Sequence, residues 1–139
     1  MNSSPSILIA DDDCDLVQIL SRRCWNLGID VLIAHDALTT LNLIDAQTPN
    51  LVCLDVNMPC ENGLSVYELL VSEPAWAKIP MIILTGRTDP ETVMRCHQLC
   101  TYYVLKGDDA WSRVEPLVRE LFLICDLGAG LQARCCASP

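Results

Sequence analysis

Five short runs rich in Val, Ile and Leu recur along the chain: "SILIA", "DVLIA", "NLVCL", "PMIIL" and "YYVLK". Amphipathic segments follow them in turn: "DLVQILSRRCWNLG", "ALTTLNLIDAQ", "GLSVYELLVSE", "PETVMRCHQLC" and "SRVEPLVRELFLICDLG". A strand covered on both faces has no polar side to alternate with, so it reads as a continuous apolar run. Strands of that kind taking turns with helices indicate βαβ units and a parallel sheet with helices on both faces. An α/β, doubly wound, five-stranded parallel sheet is therefore expected. "NLVCL" and "PMIIL" suit its centre, whereas "DVLIAHD" and "YYVLKG", flanked by charge, suit its edges. There is no repeat and no internal linker, so a single domain is expected over residues 1–126. Residues 127–139, "LGAGLQARCCASP", are expected to form a flexible C-terminal tail. A chain of 139 residues is long enough to remove about 68–70% of its unfolded surface from water and build a core by itself.

Local punctuation supports these elements. Asp13 has the side chain to cap the first helix, and Gly28 and Gly128 stand where helix-terminating glycines belong. Pro116 leaves the start of the last helix open. A capping box from Ser112 to Glu115 would place the proline fourth in the helix, whereas a start at Glu115 would place it first, where its missing N–H costs nothing.

Eighteen acidic against nine basic residues give a formal charge of −9, which disfavours direct contact with nucleic acid or an anionic bilayer and favours a cation or a basic protein patch. No basic n-region precedes an apolar stretch, and no run approaches the roughly 18 apolar residues of a membrane span, so a cytoplasmic location is expected. The nine cysteines are odd in number. Cys14, Cys24, Cys53, Cys96 and Cys125 lie in apolar segments, so buried reduced thiols are expected rather than a disulfide framework. Cys96 and Cys100 could share a helix face but lack partners for a zinc site, and Cys135 and Cys136 are open to accidental oxidation.

The polar residues that end the strands carry the functional information. Asp11 and Asp12 end the first, Asp55 the third, Thr85 the fourth and Lys106 the fifth. In a flavodoxin-like order of 2-1-3-4-5, built with right-handed crossovers, the first and third strands adjoin where the strand order reverses. The ligand crevice opens there, at the carboxyl edge. Asp11, Asp12 and Asp55 would converge at that point, with Thr85 and Lys106 closing the far side. Three neighbouring carboxylates need a counter-charge, and a hard, oxygen-seeking divalent cation such as Mg²⁺ supplies it.

Residues 5 to 126 resemble the receiver domain of two-component response regulators, of the chemotaxis type that stands alone. The resemblance is carried by "ILIADDD", "LVCLDVNMPCENG", "PMIILTG" and "YYVLK", with 43 residues from Asp12 to Asp55, 30 on to Thr85 and 21 on to Lys106. It implies that Asp55 is phosphorylated by a sensor histidine kinase or phosphotransfer protein. Asp11, Asp12, Asp55 and the Asn57 carbonyl would bind Mg²⁺, and Lys106 would pair with Asp55 and later with the phosphoryl group. Thr85 and Tyr103 would act as switch residues, and Asn57 and Arg87 would tune dephosphorylation. The chain departs from the family in having Gly107 where proline usually follows the lysine, and Leu99 and Cys100 where Gly-Ala usually precedes the fifth strand. A looser Lys106 loop without a cis peptide is the expectation.

No output module is expected after residue 126, so the signal would leave through contacts with a downstream protein target. The surface concerned draws on Arg95, His97, Gln98, Tyr102, Tyr103 and Trp111, and dimerisation on phosphorylation is left open. The chain would catalyse only its own phosphorylation and dephosphorylation. One competing reading is an interaction module that keeps the fold without phosphorylation. The other is an aspartate-nucleophile hydrolase, which would want a second acid where Asn57 stands.

Overall fold

The computed structural model describes residues 5–56, 63–86, 90–99, 102–107 and 109–127. Strands β1 (Ser6–Ala10), β2 (Asp30–Ala34), β3 (Leu51–Asp55), β4 (Met81–Thr85) and β5 (Tyr102–Leu105) alternate with helices α1 (Cys14–Asn26), α2 (Ala37–Gln47), α3 (Gly63–Ser72), α4 (Pro90–Leu99) and α5 (Ala110–Leu127). All neighbouring strands are parallel, in the order β2-β1-β3-β4-β5. The expected topology is therefore the observed one. Every residue of β3 and β4 is buried, while the edge strands β2 and β5 carry exposed positions.

Side chains alternate across the sheet and build two cores. Ile7, Ile9, Cys53, Ile82 and Leu84 face one side, where Val17, Leu20 and Cys24 of α1 and Val114, Val118 and Leu121 of α5 cover them. Leu8, Ala10, Val52, Leu54 and Ile83 face the other, against Ala37 and Ile44 of α2 and Val66, Tyr67 and Leu70 of α3. Strands β3 and β4 run one residue further than their apolar stretches, so Asp55 and Thr85 are still in the ladder, opposite Leu84 and Leu105.

Asp13 caps α1 by accepting from the Leu16 N–H at 3.1 Å, and Gly28 follows the helix at φ +83°, a conformation costly for any residue with a Cβ. Gly128 lies outside the described residues. Neither expected start of α5 is the observed one. The helix begins at Ala110 and Pro116 sits inside it; Ser112 donates its hydroxyl to the Asp109 carbonyl instead of capping. An interior proline costs about 3 kcal/mol, but burying Val114, Val118 and Leu121 returns about 1.5–3 kcal/mol each, so packing overrides the local preference. Ser112, whose carbonyl loses its usual helical partner, and Pro116 are both exposed.

Cys24 and Cys53 are buried free thiols, but Cys14, the first residue of α1, is exposed, contrary to the expectation for it. Cys100, Cys135, Cys136 and the side chains of Cys96 and Cys125 lie outside the described residues. Burial pushes the Cys24 thiol up to about 12 and raises that of Cys53 further. Only about 10⁻⁴ of Cys24 is thiolate at pH 8. Iodoacetamide at pH 8 should therefore alkylate Cys14 in the native protein while Cys24 and Cys53 react only after unfolding, as peptide mass mapping would show. Among the described residues no helix is long and apolar enough to cross a membrane.

Candidate functional site

Strands β1 and β3 are neighbours, with Ala10 opposite Leu54, so the next residues along, Asp11 and Asp55, emerge side by side at the carboxyl edge. The backbone holds this edge: the Asp11 N–H donates to Ala34 at 3.0 Å, Val56 to Leu84 at 3.0 Å and Lys106 to Thr85 at 2.8 Å. Asp11, Asp55 and Thr85 are fully buried, whereas Asp12 faces solvent. Each of the three aspartates offers a carboxylate oxygen to a space in which all three oxygens lie within 4.8 Å of one another. The convergence expected of the strand ends is thus present, with Thr85 on β4 and Lys106 just beyond β5.

Lys106 reaches across this edge. Its Nζ lies 3.1 Å from Oδ1 and 2.9 Å from Oδ2 of Asp11, and 3.2 Å from Oδ1 of Asp55. The expected pairing with Asp55 is observed, and the contact with Asp11 is shorter still. Asp11 Oδ1 also accepts from the Asp13 N–H at 2.9 Å. Asp11 Oδ2 is close to the ammonium but off the hydrogen-bonding direction, which leaves a buried carboxylate oxygen with lone pairs to offer. Three carboxylates gathered around one ammonium retain two uncompensated negative charges. Hard oxygen donors with that surplus fit a divalent cation such as Mg²⁺.

Burial by itself would lower the pKa of Lys106, but the hydrogen bond to Asp11 and the charges of Asp55 and Asp11 outweigh it, and the net shift is upward from 10.5. With the folded-state value above the unfolded one, the ammonium's contribution to stability is complete below pH 10.5 and is lost as pH rises through the higher folded value. Urea unfolding in strongly alkaline buffer should therefore show a stability loss in wild type that is missing from Lys106→Met.

Gly107 follows the lysine, and no described peptide bond is cis. The loop is nonetheless tied at several points. Ala110 donates to the Gly107 carbonyl at 3.1 Å, and the Arg113 guanidinium approaches the Leu105 carbonyl at 3.3 and 3.4 Å. A Cβ at position 107 would meet that guanidinium at 3.3 Å, so glycine leaves it room. Tyr103 packs partly against the core, and its hydroxyl shares a 2.8 Å hydrogen bond with Nε2 of His97 on α4, the two rings meeting edge to face with centroids 5.0 Å apart. Trp111 is half-buried against the α1/α5 core. Asn57 and Arg87 lie outside the described residues, as does the side chain of Arg95.

His35 was not among the expected site residues. Its Nδ1 lies 3.0 Å from the backbone carbonyl of Asp11. The signal was present in the sequence, since His35 directly follows β2, and the strand-end reasoning that singled out Asp11, Asp55, Thr85 and Lys106 applies to it equally.

A doubly wound domain with an acidic, lysine-bridged crevice at its carboxyl edge is the class that fold and site together define. The sequence model of the response regulator receiver domain matches residues 7–109. The chain belongs to that family, the receiver domains of two-component systems. It is 36% identical over 103 residues to protein RcaC of Microchaete diplosiphon, a match covering 74% of this chain and 15% of that protein. Among solved structures, it resembles the signal receiver domain of a DNA-binding response regulator from Colwellia psychrerythraea 34H, with 27% identity, a TM-score of 0.77, and 86% and 98% of the two chains covered. A CheY-like receiver domain protein from Methanospirillum hungatei JF-1 shares the fold with a TM-score of 0.78 at 23% identity, over 91% of this chain and 100% of that one. The chain thus spans less than a sixth of the length of RcaC.

Proposed function

We propose that this receiver takes a phosphoryl group from the phosphohistidine of a sensor histidine kinase or phosphotransfer protein onto Asp55, with Mg²⁺ as cofactor, and signals through contacts with a downstream protein. The observation that carries this reading is the meeting of three carboxylates within 4.8 Å of one another, with Lys106 Nζ 3.2 Å from Asp55. Asp11, Asp12 and Asp55 would hold the cation, with the Asn57 carbonyl as a further ligand by family resemblance. When bound, Mg²⁺ supplies neutralising charge for the carboxylates and phosphoryl oxygens.

The chain's own groups do the rest. An Asp55 carboxylate oxygen attacks phosphorus while the phosphorus–nitrogen bond to the donor imidazole breaks and the imidazole keeps the electron pair. Because phosphoryl transfer goes through a loose transition state, placement and charge matter more than nucleophilicity, and a carboxylate suffices. Lys106 stands ready to exchange one carboxylate contact for a phosphoryl oxygen, and the Thr85 hydroxyl serves another. Hydrolysis of the acyl phosphate by water returns the carboxylate. Acetyl phosphate tests the reading: the mass of one phosphoryl group should appear on Asp55 in Mg²⁺ and not in EDTA. An unlabelled but folded protein would point to a phosphorylation-independent interaction module.

Tyr103 gives the switch a readable handle. The hydrogen bond to His97 favours the partly buried ring position observed, and with its polar atoms within reach of water it is worth about 0.5–1 kcal/mol. His97→Ala should shift the population towards the inward ring, tightening apparent beryllofluoride affinity about two- to fivefold in a fluorescence titration.

A further inference from the structure

We propose that His35 is a positioning residue of the acidic site: by holding the Asp11–Asp12 peptide from the end of β2, it sets the direction of the Asp12 carboxylate and hence the affinity of the site for Mg²⁺. The assignment rests on the reading of Asp11, Asp12 and Asp55 as the cation site. A backbone carbonyl can only accept, so the proton of the 3.0 Å contact belongs to Nδ1 of His35, and the tautomer is settled by its partner. The same stretch of β2 accepts the Asp11 N–H, at Ala34. The main chain of Asp11 is thereby gripped on both its N–H and its C=O by two consecutive residues, Ala34 and His35.

The two aspartates depend on that grip to different degrees. The Asp11 carboxylate is buried and tied by Lys106 and by the Asp13 N–H, so it keeps its aim without help from β2. Asp12 is exposed, and its carboxylate makes no hydrogen bond or ion pair with the described residues. Its direction is inherited from the backbone, and the peptide plane joining it to Asp11 is the element that His35 restrains. His35 itself is exposed, so its side chain contributes little to the core. Groups that orient metal ligands from outside the ligand set are typically worth about 10- to 100-fold in metal affinity.

Calorimetric titration of the whole chain with MgCl₂ tests the assignment. His35→Ala should weaken Mg²⁺ binding about 10-fold while lowering the melting temperature of the metal-free protein by only a few degrees, the loss of one part-buried hydrogen bond. His35→Asn places an amide N–H the same number of bonds from Cα as Nδ1, and should recover affinity to within about threefold of wild type. Wild-type affinity in His35→Ala overturns the assignment, and so does an asparagine variant as weak as the alanine one. If the wild-type protein itself binds no Mg²⁺, the reading of the acidic cluster falls and this assignment with it; the wild-type titration alone separates that result from a failure of His35.

Discussion

Asp55→Asn is expected to reduce labelling by acetyl phosphate to background while making the metal-free protein more stable. An amide has no anionic oxygen to attack phosphorus, so the loss of labelling follows from the chemistry of the nucleophile. The gain in stability follows from electrostatics. Asp55 lies with Asp11 and Asp12 inside a 4.8 Å cluster, where two unit charges repel by about 3 kcal/mol at an effective dielectric constant near 20. Within the acidic cluster it repels two carboxylates and attracts the Lys106 ammonium, and Lys106 keeps its closer partner, Asp11, when Asp55 is neutralised. A net gain of about 1 kcal/mol in urea unfolding with EDTA is the outcome of these opposed effects. In saturating Mg²⁺ the order should reverse, because the wild-type site has more charge with which to bind the cation and gains more stability by linkage. An Asp55→Asn variant less stable than wild type in EDTA would show that Asp55 is held by attractions that exceed its repulsions.

Lys106→Ala should move stability the other way, and further. The ammonium is the counter-charge for two fully buried carboxylates, and removing one partner from a buried pair costs about 3–5 kcal/mol because the other charge is left behind. Lys106 is 19% exposed, so water can partly replace it, and a loss of about 3 kcal/mol is expected. Mg²⁺ should restore a large part of this loss, since it supplies the missing positive charge to the same oxygens. Urea unfolding with and without Mg²⁺ checks both effects. A variant equally destabilised in EDTA and in Mg²⁺ would mean that the lysine acts through its aliphatic stem and not its charge. The same substitution should slow acetyl phosphate labelling, as no ammonium remains to meet the phosphoryl oxygens.

The elements that could be read from sequence are those in which one physical pattern dominates. Continuous apolar runs marked β3 and β4 because a strand buried on both faces has no polar side, and the charge flanking β2 and β5 marked them as edges. The convergence of Asp11, Asp12 and Asp55 followed from topology alone, since it needs only the strand order and the fact that parallel strands share a carboxyl edge. Features set by the meeting of distant side chains were not legible. That Lys106 favours Asp11 depends on where its flexible stem lands across the crevice, and the pairing of Tyr103 with His97 depends on how α4 packs beside β5. Pro116 lies inside α5 because the burial of Val114 and Val118 carries the helix back to Ala110, which neither a capping box at Ser112 nor the tolerance of proline at a first helical position reveals. Cys14 is exposed because it stands between Asp13 and Asp15 in the first turn of α1, ahead of the apolar stretch whose Val17 and Leu20 meet the core.

The most direct test is a crystal structure of the protein grown with Mg²⁺ and beryllofluoride, whose beryllium forms an acyl-phosphate-like adduct with a reactive carboxylate. The adduct is expected on a carboxylate oxygen of Asp55, with Mg²⁺ held at Asp11, Asp12 and Asp55 and with Lys106 turned to a fluoride. An adduct on another residue, or a cation bound away from these three aspartates, would contradict the proposed site.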